Sequence, residues 1–79
     1  MKEDIVPAQL RAARALVAWS RKDLAEAART TERTIARIED GVTVPRSSTS
    51  LAIRAALEAA GVAFIAEIGG GPGVRLSKK

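Results

Sequence analysis

The sequence predicts a mainly α fold: four short helices followed by a C-terminal β-hairpin. Three observations carry that reading. Apolar residues recur at the three- and four-residue spacing of amphipathic helices, as in Leu10, Ala13 and Val17. Capping residues and helix-stopping glycines punctuate the chain, with Ser20, Thr31 and Ser47 or Ser48 in opening positions and Gly41 and Gly61 in closing ones. After Gly61 the pattern changes to "VAFIAEI", then "GGGPG", then "VRL", which reads as two short strands joined by a glycine-rich turn.

Each element follows from local chemistry. Pro7 suits a first helical turn, with Asp4 upstream as a cap, so helix 1 is expected over about 7–18. Ser20 to Asp23 matches a capping box ahead of Leu24, which opens helix 2 over about 21–28. Thr30 and Thr31 supply the next N-cap and Gly41 a left-handed stop, giving helix 3 over about 32–40. Pro45 makes "VTVPRSS" a loop, and helix 4 is expected over about 48–60. Strands are expected over 62–68 and 74–76, with a frayed "SKK" end. The expected organisation is a helical domain over 1–61 and a hairpin and tail over 62–79. Helices 2 and 3 are joined by three residues at most, which is the helix-turn-helix pattern.

Composition narrows the chemistry. A chain of 79 residues buries only about 60–65% of its unfolded surface, so its core is thin and a dimer contact would help it. The net charge of +4 suits a polyanionic partner without being extreme. With no Cys and no His, disulfides, Cys/His zinc sites and thiol or imidazole catalysis are excluded. No carboxylate sits beside a plausible base or metal partner, so neither enzyme activity, a metal nor a cofactor is expected. The longest apolar run, 61–66, is far too short to span a bilayer, and "MKEDIVP" has no signal-peptide core. A cytoplasmic protein is expected.

The stretch "RTTERTIARIEDG", residues 29–41, is the most informative. Ile35 and Ile38 fall on one side of a helix; Arg33 and Arg37, four apart, fall on the other. Residues 20–46 carry six basic and five acidic groups, so charge alone does not single out a nucleic-acid surface. Arginines on a helix are usually a solvated face, and it is the helix–turn–helix setting that raises the functional reading above that one.

Residues 9–60 resemble the lambda-repressor-like, XRE/Cro-type helix-turn-helix DNA-binding domain found in small bacterial and mobile-element transcriptional regulators. The resemblance rests on "QLRAARALVAWSRKDLAEAA" (9–28), "TTERTIARIEDG" (30–41), Pro45 and "IRAALEAAG" (53–61). It implies that helix 3 lies in the major groove of double-stranded DNA with Thr31, Glu32, Arg33 and Arg37 facing bases. Arg reads guanine bidentately; Glu32 either accepts from cytosine or simply favours the helix N-terminus. Gln9, Ser20, Arg21, Lys22, Thr34 and Arg46 are the implied phosphate contacts, which position but do not read. Arg14 and Glu39 are implied to form a structural ion pair between helices 1 and 3. Two departures stand out. Arg29 occupies the turn position where the family usually has glycine, so the turn is either strained or differently shaped. Ser50 stands where helix 4 normally offers an apolar residue, and Leu51 is displaced outward.

Other features have ordinary readings. "GGGPG" lacks the strand–loop–helix setting of a phosphate cradle and reads as a hairpin turn. Arg11 and Arg54 read as solvent-exposed and Trp19 as core. Leu51, Val62, Phe64, Ile65 and Ile68 are more apolar than one hairpin can hide. Leu51, Phe64, Ile65 and Ile68 are therefore the candidate dimer interface, beside the simpler reading of core packing. The expectation is a homodimeric transcriptional regulator, a repressor acting on a palindromic operator. The competing reading is an antitoxin-like module whose tail holds a protein partner and for which DNA binding is secondary.

Overall fold

The computed structural model describes residues 5–66 and 69–77. In order, the elements are α1 (Pro7–Leu16), α2 (Arg21–Ala28), α3 (Glu32–Glu39), α4 (Ser47–Ala59), β1 (Val62–Ile65) and β2 (Gly73–Leu76). The chain is mainly α with a C-terminal hairpin, as its punctuation predicts.

The caps explain the boundaries. The backbone N–H of Val6 donates to Gln9 Oε1 at 3.0 Å and opens α1; Asp4, the expected cap, lies outside the described residues. The Ser20–Asp23 capping box forms reciprocally: Ser20 Oγ accepts from the Asp23 N–H, and the Asp23 carboxylate accepts from the Ser20 N–H, both at 3.0 Å. Thr31 Oγ1 accepts from the Thr34 N–H at 3.1 Å and opens α3. At α4 the expectation needs correction. The helix begins at Ser47 behind an extended Arg46, with no side-chain cap. Ser47 and Ser48 lie inside the first turn and cannot take the extended N-cap conformation.

All four helices stop at a left-handed residue, but only two use glycine. Gly41 (φ 74°) follows α3 and Gly61 (φ 108°) follows α4. Arg29 (φ 60°) follows α2, and Ala18 (φ 57°) ends α1 ahead of the expected boundary at 18. Both non-glycine stops are Schellman closures. Trp19 N–H reaches the Arg14 carbonyl at 3.0 Å, and Thr30 N–H reaches the Ala25 carbonyl at 2.8 Å. A side chain held in this region costs about 1–2 kcal/mol. The α2–α3 turn therefore holds Arg29 in the left-handed conformation that glycine favours and carries strain.

The core is built from Leu10, Ala13, Leu24, Ala25, Ala28, Ile35, Ile38, Ile53, Leu57 and Val62. Burying each Leu or Ile contributes about 1.5–3 kcal/mol, and the alanines allow close helix approach. Trp19, Phe64 and Val74 pack against this cluster. α2 packs on α3 and α4, while α1 reaches α3 and the hairpin. β1 and β2 pair antiparallel with Val62 opposite Leu76, Phe64 opposite Val74 and Ile65 opposite Gly73. Strand alternation puts Val62, Phe64 and Val74 on the core-facing side. Among the described residues no helix is long and apolar enough to cross a membrane.

Candidate nucleic-acid interface

Helix α3 presents two unlike faces. Ile35, Ile38 and Glu39 are buried, whereas Thr31, Glu32, Arg33 and Arg37 are all exposed. The buried isoleucines fix the helix against the core, so the face carrying Arg33 and Arg37 is turned to solvent. Thr34 is half-buried and its hydroxyl is engaged by Thr31 at 2.9 Å.

One buried carboxylate fixes the relative positions of α1, α2 and α3. Glu39 is fully buried. Its oxygens accept from Arg14 Nε at 2.6 Å, Arg14 Nη2 at 2.9 Å and Arg21 Nε at 3.0 Å. Arg21 also reaches Asp40 at 3.4 Å, Arg14 Nη1 donates to the Trp19 carbonyl at 2.9 Å, and Arg11 donates to the Glu39 carbonyl. Burial alone would raise the Glu39 pKa; the hydrogen bonds and charges of Arg14 and Arg21 outweigh it and hold the carboxyl below its ordinary value. The hydrogen bond to Glu39 likewise outweighs burial at Arg14 and raises its pKa. The Ser20 backbone N–H, then its hydroxyl, lowers the pKa of Asp23.

This network decides which charges of residues 20–46 have partners. Of the five acidic residues in 20–46, Glu39 and Asp40 are ion-paired and Asp23 is held in its capping box. Arg21 is the one basic residue of that segment taken up in pairing among the described residues. Lys22, Arg29, Arg33, Arg37 and Arg46 form no ion pair among the described residues, against the uncommitted Glu26 and Glu32. Only Glu39 leaves the surface, so the segment exposes five basic residues, Lys22, Arg29, Arg33, Arg37 and Arg46, against four acidic ones, Asp23, Glu26, Glu32 and Asp40.

The other sequence-predicted residues fall in different places. Ser20, Lys22 and Arg46 are exposed. Arg21 lies at the start of α2 but spends its guanidinium on Glu39 and Asp40. Gln9 is not at the surface. It is 7% exposed, and its Nε2 donates to the Ile65 carbonyl at 3.3 Å and the Gly73 carbonyl at 3.0 Å. With its Oε1 also occupied by Val6, the side chain clamps α1 to the hairpin and has no group left for a phosphate. Arg11 is exposed as expected, yet its tip is tied to Glu39. Leu51 stands 64% exposed, Phe64 and Ile65 are half-buried, and Ile68 lies outside the described residues. Arg54 lies over the Phe64 ring, 5.1 Å from its centroid, and pairs with Glu58 at 3.0 Å.

Two short helices with a three-residue joint, the second held by its apolar side and exposing arginines on the other, define a DNA-binding regulator of the helix-turn-helix class. A family model described as a helix-turn-helix domain matches residues 8–64, and the chain belongs to that family. The match is consistent with the XRE/Cro-type resemblance of residues 9–60. No curated protein matches the chain at a significant level.

Proposed function

We propose that this protein is a sequence-specific reader of double-stranded DNA, a cytoplasmic and non-enzymatic transcriptional repressor that binds a palindromic operator as a homodimer. Helix α3 enters the major groove. Arg33 and Arg37 hydrogen-bond guanine edges, Thr31 and Glu32 contact bases at the helix N-terminus, and Ser20, Lys22 and Arg46 engage phosphates. The observation that carries the reading is the pair of exposed arginines, without ion-pair partners among the described residues, on the face of α3 opposite Ile35 and Ile38. A single such helix covers only a few base pairs, and two copies related by a twofold axis would read half-sites about one helical turn apart. Exposed Leu51 and half-buried Phe64 and Ile65 supply apolar surface for that contact.

The test is titration of duplex DNA with the wild type and with the Arg33→Ala/Arg37→Ala double variant, alongside sedimentation of the free and bound protein. The reading expects a two-protomer complex, with affinity for a selected site falling about 30-fold or more in the double variant, at about 1–3 kcal/mol per bidentate contact. Equal affinity of the two proteins for every duplex would sink it.

A further inference from the structure

Arg29 has no role in the reading above, and its backbone gives reason to assign one. It sits at the C-terminal stop of α2, at φ 60° and ψ 46°, the position and conformation that favour glycine. The closure around it is complete without its side chain: its own N–H reaches the Glu26 carbonyl at 3.3 Å, and the Thr30 N–H reaches Ala25 at 2.8 Å. Glycine would make both bonds without the strain. The side chain is exposed and forms no ion pair among the described residues. No ion pair among the described residues holds it, and the backbone would be more relaxed with glycine in its place. Ala18 carries similar strain but no charge; at Arg29 the strained stop also holds an exposed guanidinium with no ion pair among the described residues, and that charge points to a task outside the fold.

The turn leads directly into the N-terminus of α3, the end that a helix-turn-helix presents to base edges. We infer that Arg29 is a backbone contact to duplex DNA, neutralising one phosphate beside the groove that α3 occupies. This rests on the DNA-binding reading. Its specific content is that the charge on the strained turn adds affinity without sequence preference, whereas Arg33 and Arg37 supply preference. The negative end of the α2 dipole also attracts a cation here, a purely structural benefit that would act on stability and leave DNA affinity alone.

The two roles move different observables. The variants are Arg29→Gly, Arg29→Lys and, as a strain control, Ala18→Gly, which relieves the same kind of stop at α1. Tm and the salt dependence of affinity for a mixed-sequence duplex two helical turns long are measured for each. Arg29→Gly is expected to raise Tm by about 4 °C while weakening DNA binding. The loss should be about 8-fold at 0.1 M salt, and the slope of log affinity against log salt should become less negative by about 0.9, the signature of one counterion. Arg29→Lys should keep the wild-type slope, and Ala18→Gly should raise Tm with affinity unchanged. Wild-type slope and affinity in Arg29→Gly would overturn the assignment and leave a surface arginine. A lowered Tm in Arg29→Gly would overturn the strain argument on which it stands. Failure of the wild type itself to bind duplex would instead overturn the DNA-binding reading, so the two failures are distinguishable.

Discussion

Replacing Glu39 with glutamine removes one charge and almost no volume, and should be among the most damaging single changes to this fold. Glu39 is fully buried and accepts three hydrogen bonds from two guanidinium groups, at 2.6, 2.9 and 3.0 Å. The amide of the Glu39→Gln variant would keep one acceptor but turn an N–H₂ group toward an arginine that can only donate. Removing one partner of a buried pair costs about 3–5 kcal/mol, because the other charge is stranded. Here the stranded groups retain some access to water: the Arg14 side chain is 20% exposed and the Arg21 side chain 39%. That relief brings the expected loss to about 2–4 kcal/mol, a large share of the margin of a domain this small. Urea unfolding of Glu39→Gln beside the wild type measures it. An Arg14→Met/Glu39→Gln double variant should lose clearly less than the sum of its single variants, since it strands one charge fewer. A loss below about 0.5 kcal/mol in Glu39→Gln would refute the reasoning, placing the network with exposed ion pairs of little worth.

Other consequences follow from the same contacts. Because the folded-state pKa of Glu39 is depressed, its contribution is present above the unfolded value of about 4.3 and is lost as pH falls through the folded value; the stability gap between wild type and Glu39→Gln should therefore shrink below about pH 4 in an acid titration followed by circular dichroism. Gln9→Ala should leave the Ile65 and Gly73 carbonyls without their side-chain donor, costing about 1–2 kcal/mol, and should speed amide hydrogen exchange in β1 and β2 more than in α3. Thr31→Ala removes the cap of α3 and should cost about 1 kcal/mol in thermal unfolding; unchanged stability would mean that the Thr34 N–H finds an equivalent partner in water.

Most of the helical frame was legible because it is written locally. A hydroxyl three residues ahead of its N–H partner, or a glycine one residue past an apolar stripe, needs no distant information, and α2 and α3 fall where such signals place them. α1 ended early because Ala18 accepts a left-handed conformation that its residue type does not advertise. The two faces of α3 were readable from the four-residue spacing of Arg33 and Arg37. What remained hidden is non-local. Gln9 meets its carbonyl partners across 56 and 64 residues, and no local pattern in the chain encodes that clamp. Its other bond, to the Val6 N–H, was available in principle, since Gln at the third position of a helix opening on Pro7 is half of a capping box. Arg21 looks like any basic residue at a helix start until the fold brings Glu39 beneath it. Counting charges along 20–46 likewise cannot tell which of them are paired and which stand without an ion pair among the described residues.

Whether the arginine face of α3 reads base edges decides the proposed function. The most direct measurement is selection of binders from a random duplex library at near-physiological salt, with the wild type and Arg37→Ala side by side. The expected result is a palindrome with half-sites about 10 base pairs apart, altered by Arg37→Ala at one position in each half-site and preserved elsewhere. No enriched motif, with binding that fades alike for both proteins as salt rises, would contradict it and reduce α3 to a phosphate contact.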